Sequence, residues 1–313
     1  MEQSFAIILS LLQERADLQA RLNRLPYDGS PEIKENKSGK YLYIRKRING
    51  KLTSTYVDVY SDDLYQSLLR DSKEARELHK QIRRLDKELA ANGYVKEALS
   101  AGVIINLNFA GANMKSCIYD QAVLEGAAVS FSQIEEMIDN GMVNRMAVDD
   151  VQMILNLRHA WEFILDKAVI RADSNYSLLC HIAKLVNEGF FYDGGRIRGI
   201  QVAMGGTNYI PPIPIEPQIS EQISNILRSG KDAIDIAIDL CMYCMRAQIF
   251  VDGNMRASVI FANHYMIAHG LGLIVVPEEH VSEFKKLLVD YYESEDIRRI
   301  SAFLKEKCWR KIK

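Results

Sequence analysis

The sequence predicts a mainly α protein, a helical bundle carrying one functional hairpin and preceded by a smaller helix–hairpin–helix module. Three observations predict it. From Asp149 onward, successive segments repeat apolar residues at helical spacing. Strand-forming sequence with turn chemistry is confined to two places, one around Asn49-Gly50 and one around Gly205-Gly206. The first hundred residues are of a different kind, two charge-interleaved amphipathic segments around a basic β-prone stretch. Ala91-Asn92-Gly93 carries a helix-stop signal, so the chain divides into residues 1–93 and 94–313.

The first helix spans Glu2 to about Leu25, with Ile8, Leu11, Leu18 and Leu22 on its apolar side. A loop over Pro26 to Ser38 follows. Tyr41 to Tyr60 is the strongest hairpin candidate, two β-prone runs around Asn49-Gly50, a pair favoured in a type I′ turn. Ser61 with Asp62 and Asp63 then caps a longer helix to about Ala90, and the two helices suit an antiparallel pair or self-association. Further on, Asp149 to Asp166 and Tyr176 to about Glu188 are helices expected to pack on a central pair, Ile234 to Phe250 and Ala257 to Ala268. The tail from Pro277 is helical twice, through Val281, Phe284, Leu287 and Leu288, then Ile297, Ile300 and Leu304.

Composition narrows the function classes. A chain of 313 residues with 48% hydrophobic and 26% charged residues can bury a substantial core. A formal net charge of −2 argues against a surface that seeks nucleic acid everywhere. Lys34, Lys37, Lys40, Arg45, Lys46, Arg47 and Lys51 nevertheless cluster with Tyr41, Tyr43 and Tyr56, a pattern that suits nucleic-acid contact but also serves as a lysine-protected edge hairpin. The edge-hairpin reading is the stronger of the two. No stretch has the length and apolarity of a membrane span, and the start lacks a basic leader and a small-residue cleavage site, so a cytoplasmic protein is expected. Five irregularly spaced cysteines form no zinc set, and Cys241-Met242-Tyr243-Cys244 lies inside a helix as two small buried side chains rather than as a redox pair.

The most informative run is Ala247-Gln248-Ile249-Phe250-Val251-Asp252-Gly253-Asn254-Met255-Arg256-Ala257-Ser258-Val259. Apolar helical sequence flanks it on both sides, so Val251 to Met255 must be the connection. A glycine turn feeding a helix start aims backbone N–H groups and the positive end of the helix dipole at one spot, and Arg256 adds a cationic fork. Gly253, Asn254, Met255 and Arg256 are thus candidates for gripping phosphate. Asp252 supplies the hard oxygen that Mg²⁺ takes beside phosphates.

This run resembles the Fic motif, His-Pro-Phe-x-Asp/Glu-Gly-Asn-Gly/Lys-Arg-x-x-Arg, at Phe250, Asp252, Gly253, Asn254 and Arg256. It departs at Gln248, where the catalytic histidine belongs, at Ile249 and Met255, and at Val259, where many members carry a second arginine. The resemblance covers roughly the last two hundred residues. Gly195 to Pro212 is similar to the family's target-binding flap, with Val202, Met204, Gly205, Gly206 and Thr207 at its centre, and Gln121 to Gly126 is similar to its inhibitory segment, with Glu125 as the inhibitory glutamate.

The resemblance implies a Fic-type bundle with a β-hairpin flap over 94–313. It also implies ATP and Mg²⁺ as cofactors, and transfer of AMP to a Ser, Thr or Tyr hydroxyl of a target protein. Gln248 would occupy the position of the base, and Phe250 would hold the loop in the core. A glutamine amide has no basicity near neutral pH, so catalysis would be impaired or altered. A non-catalytic regulator that keeps the pocket or the flap as a binding surface, with the basic hairpin contacting nucleic acid or protein, is the alternative. A Doc-type phosphotransferase fits less well, because Met255 replaces that branch's lysine. A homodimer is compatible with either reading.

Overall fold

The computed structural model describes residues 2–48, 51–95, 98–141 and 146–312. It contains two compact units, Met1–Val95 and Lys96–Lys313. Among the described residues, no helix is long and apolar enough to cross a membrane.

In the first unit, α1 (Glu2–Arg24) is followed by three strands, β1 (Ser30–Asn36), β2 (Gly39–Ile48) and β3 (Lys51–Val59), and by α2 (Asp62–Ala91). The Ser61 hydroxyl accepts the Leu64 amide at 3.3 Å and fixes the start of α2, as its position before two aspartates predicts. The helices run antiparallel: Leu22 of α1 packs with Ala75, Leu78 and Ile82 of α2, while Arg15 reaches Asp86 at 2.7 Å and Arg21 reaches Glu74 at 2.7 Å. The sheet is antiparallel in the order β1-β2-β3 and buries Leu42 and Ile44 against Leu68.

Ile48 stands opposite Lys51 across the hairpin end, and the Asn49-Gly50 turn lies outside the described residues. One expectation is corrected: the Pro26–Ser38 segment is not all loop, since residues 30–36 pair with β2 from Ser30↔Arg45 to Asn36↔Gly39. A polar run with a proline gives little strand signal, and it pairs here because β1 is an edge strand, where Pro31 can turn its missing N–H away from the ladder.

The second unit is built from α3 (Ala101–Glu125), α4 (Phe131–Asn140), α5 (Val148–Ile164), α6 (Tyr176–Val186), α7 (Glu216–Leu227), α8 (Ala233–Ala247), α9 (Asn254–Ala268), α10 (Val281–Ser294) and α11 (Arg298–Phe303). Two short strands, β4 (Leu273–Ile274) and β5 (Trp309–Arg310), pair antiparallel. The centre is α9, whose residues from Arg256 to Ile267 are all buried, with α3, α5, α6 and α8 packed around it. A helix enclosed on every side needs no polar stripe. One polar group it buries is matched on both sides: the Asn263 amide donates to Ile274 O at 2.7 Å and accepts from Ile274 N at 2.9 Å, serving β4 in place of a strand.

The segment 199–213 departs from the expected hairpin. Gly206 takes a positive φ of 79° at the predicted turn, but the arms on either side form no strand ladder with each other. Arg198 occupies the space between them. Its guanidinium donates to Ile200 O at 2.6 Å and Pro212 O at 2.6 Å, and Gln201 Nε2 donates to Pro211 O at 2.6 Å. Pro211 and Pro212 have no N–H to offer a ladder, so side-chain donors satisfy their carbonyls instead.

Candidate functional site

The predicted phosphate loop lies between α8 and α9, and its shape follows from three local devices. First, α8 stops at Ala247, three residues earlier than its apolar spacing predicts, because Gln248 adopts the left-handed conformation at φ 45°. Second, Asn254 clamps the loop: its Oδ1 accepts the Phe250 amide at 2.9 Å and its Nδ2 donates to Phe250 O at 2.8 Å. Phe250, 1% exposed, anchors the turn in the core. Third, Gly253 sits at φ 70° against Asn187, where a Cβ would stand 2.6 Å from Asn187 Oδ1. No side chain caps α9, so its first-turn amides are left to another acceptor.

Arg256 is the focus of charge. It is 5% exposed, and its Nη2 donates to Asp252 Oδ2 at 2.9 Å and to Asn187 Oδ1 at 3.3 Å. Its Nε lies 4.0 Å from Glu125 Oε2, too far for a hydrogen bond, and both Arg256 Nε and Glu125 Oε1 are buried without one. Burial pushes the Glu125 carboxyl above its ordinary range; the Arg256 guanidinium pulls it back, and the Asp252 charge adds to the upward push. Glu125 is the last residue of α3, with Gly126 in the left-handed conformation just beyond. Val259, where a second arginine would stand, is buried one turn along α9. Glu125 therefore faces the first arginine rather than the second.

Gln248 is committed inward. Its Nε2 donates to Met245 O at 2.7 Å and its Oε1 accepts from Asn254 Nδ2 at 3.2 Å, while its backbone carbonyl receives Arg198 Nε. Three histidines of the second unit are committed elsewhere. His264 is fully buried against Ser174 Oγ at 2.8 Å and Val169 O at 3.2 Å, and burial depresses its pKa to about 4. His269 stacks on Tyr265 and donates to that residue's carbonyl, and His159 meets Glu188 at 3.1 Å. Burial also raises the Cys241 thiol to about 12 and the Cys244 thiol well above its ordinary value, so neither is a thiolate at neutral pH.

Of the flap residues, Val202, Met204 and Thr207 are half-buried, while Gly205 and Gly206 are exposed at the tip. The Thr207 hydroxyl and the Asn208 amide both donate to Glu293 Oε1, at 2.8 and 3.1 Å, and Tyr209 is covered by the Arg246 guanidinium at 4.2 Å from its centroid. The Arg198 amide donates to Ile249 O at 2.9 Å, so the base of the flap is fastened directly to the α8–α9 loop.

Three residues have positioning roles that the sequence does not reveal, although Arg198 lies in the flap-like segment and Gln121 in the one similar to the inhibitory segment. Asn187 caps α6 and bonds Gly194 O at 3.0 Å and Asp252 O at 2.9 Å. Arg198 joins flap to loop. Gln121 receives Trp161 Nε1 at 2.7 Å and donates to Arg256 O at 3.4 Å, bracing the first turn of α9 from α3. Only an unusual Asn-Glu-Gly helix stop at 187–189 gave a local signal for the first of these.

Solved structures with the same architecture carry Fic domains. Fic-1 from C. elegans matches with a TM-score of 0.54 at 18% identity, over 78% of this chain and 77% of that one. A Fic domain containing signaling protein from Bacteroides thetaiotaomicron matches at 0.53 and 15%, over 67% of this chain and 85% of its own. A Fic family protein from Desulfovibrio desulfuricans G20 matches at 0.52 and 13%, over 67% and 72%. The chain therefore has the Fic fold. Residues 5–66 match the model of DUF6788, a domain of unknown function, and no curated protein matches the chain.

Proposed function

We propose that the α8–α9 loop binds ATP with Mg²⁺ and that the second unit transfers AMP to a Ser, Thr or Tyr hydroxyl of a protein, slowly, because position 248 carries no base. The observation that carries this reading is the buried Arg256. Its Nε lacks an acceptor, and it stands beside the uncapped N-terminus of α9 and the Asp252 carboxylate, a donor set suited to phosphate oxygens with a metal alongside. The Asp252 side chain is 53% exposed and can take a metal from solvent. Among the described residues, no three His, Cys, Asp or Glu side chains cluster as a metal cage, which suits Mg²⁺, since it draws most of its remaining ligands from phosphate and water.

When bound, the nucleotide would supply the AMP group, the bond between its α- and β-phosphates breaking as the hydroxyl oxygen bonds to the α-phosphorus and pyrophosphate leaves. Arg256 and the first-turn amides of α9 would hold phosphate charge, and Asn254 and Asn187 keep those donors in place. Gln248 cannot accept a hydroxyl's proton, so deprotonation falls to solvent. Glu125 competes with phosphate for Arg256 and repels it, which makes the arrangement inhibitory.

The test is label incorporation from ATP. Glu125→Gly is expected to incorporate label from the α-phosphate several-fold faster than the natural chain. Label arriving from the γ-phosphate instead would make the reaction phosphoryl transfer, and none from either position in Glu125→Gly would defeat the catalytic reading. One observation favours a non-catalytic role: the Gln248 amide is already used by Met245 O and Asn254 on both of its polar atoms.

A further inference from the structure

The first unit presents a surface that the nucleotide reading does not use. In the β1-β2-β3 sheet, Leu42 and Ile44 turn one face of β2 into the core, so Tyr41, Tyr43, Arg45 and Arg47 alternate onto the other face. The register places Tyr56 opposite Tyr43, Ser54 opposite Arg45, and Glu32 opposite Tyr43 on the far side. Tyr56 packs against both neighbours, with ring centroids 5.6 Å from Tyr43 and 6.3 Å from Tyr41. The three rings thus tile one patch, and Tyr56 remains 49% exposed. The Lys34 ammonium sits 4.2 Å over the Tyr43 ring, and Arg45 is exposed beside it. Glu32 lies on this face, occupied by the Ser54 hydroxyl at 3.0 Å and by Lys34 at 3.8 Å, and the Asp58 carboxylate stands near enough to Tyr56 for its charge to act there. Residues 30–59 carry seven Lys and Arg against three Asp and Glu, in a chain whose net charge is −2.

We propose that this sheet face binds single-stranded nucleic acid, with unstacked bases lying on Tyr56 and its two neighbours and phosphates meeting Lys34 and Arg45. Aromatic rings on an open sheet, bordered by cations, are suited to the flat faces and the backbone charge of such a strand. Edge protection does not account for the pattern. Tyr43 and Arg45 lie on β2, the central strand, which is paired on both sides and has no edge to defend. A duplex keeps its base faces stacked and offers this patch only phosphates, so the geometry selects a single strand.

The test is fluorescence anisotropy of the full chain with labelled 12-mers of one mixed sequence: RNA, single-stranded DNA and duplex DNA. Either single strand is expected to bind more tightly than the duplex. A preference for RNA would assign the site to RNA, and equal affinity would assign it to either strand. Tyr56→Ala is expected to weaken binding by about 5- to 150-fold, the range for loss of one stacked base, while Tyr56→Phe keeps the ring and the affinity. Arg45→Ala should lower the slope of log affinity against log salt by about 0.7, one phosphate contact on a single strand. Circular dichroism serves as the folding control, since Tyr56 lies on the face away from the Leu42–Ile44 core. No binding to any strand, equal affinity for duplex, or Tyr56→Ala equal to Tyr56→Phe would overturn the proposal.

Discussion

Gln248→His, introduced in a Glu125→Gly background, is expected to raise AMP transfer by about 10²- to 10⁴-fold, the usual worth of a positioned general base. The site favours the gain. Position 248 holds a left-handed backbone conformation at φ 45°, which histidine tolerates better than most residues, and the loop around it is fixed by Asn254 and Arg198 rather than by the glutamine side chain alone. An imidazole there could accept the proton that the amide cannot. The Glu125→Gly background matters because the glutamate otherwise opposes phosphate at Arg256. Rates of α-phosphate label incorporation measure the effect. No gain, with ATP binding intact, would mean that the missing base is not what limits the reaction.

Gly253→Ala is expected to destabilise the second unit by about 2–5 kcal/mol, combining a strained left-handed backbone with overpacking. The added methyl would meet Asn187 Oδ1 at 2.6 Å and Nδ2 at 2.9 Å. Asn187 cannot retreat easily, since it is fully buried and bonded to Gly194 O, Asp252 O and Arg256. Both tryptophans of the chain, Trp161 and Trp309, lie in this unit, so denaturant unfolding followed by tryptophan fluorescence reports on it. Gly205→Ala, at the flap tip with open space around it, is the control and should cost less than about 1 kcal/mol. Equal midpoints for the two variants would show that the loop does not hold this conformation.

These predictions rest on the parts of the structure that were legible in the sequence. The α8–α9 loop was readable because two uninterrupted apolar periodicities flank one Asp-Gly-Asn, and Ser61 and Asp62 announced α2 by the same local chemistry. What failed to show was non-local or locally atypical. Asn187 is 65 residues from the carbonyl of Asp252 that it holds. The end of α8 was misplaced because a glutamine, not a glycine, takes the left-handed turn there. The helix over 101–125 is hard to read, because buried Asn106, Asp120 and Gln121 interrupt the apolar pattern of α3. The flap had the turn glycines of a hairpin, yet Arg198 replaces the ladder, and the partners of one guanidinium cannot be read from alternation.

The approach of Glu125 to Arg256 distinguishes this site. With Val259 in place of a second arginine, Glu125 has Arg256 as its principal cation, with Lys285 a weaker one, and Arg256 is the group that would hold phosphate. Under the proposed function, inhibition and binding would compete for Arg256, and removal of the glutamate is expected to act directly on affinity.

Calorimetric titration with ATP, with and without Mg²⁺, of the natural chain, Glu125→Gly, and Glu125→Gly combined with Asp252→Ala tests the central claim most directly. The account predicts magnesium-dependent binding that is stronger in Glu125→Gly than in the natural chain and is lost when Asp252 is replaced. Absence of binding in Glu125→Gly, or binding that ignores both magnesium and Asp252, would contradict it.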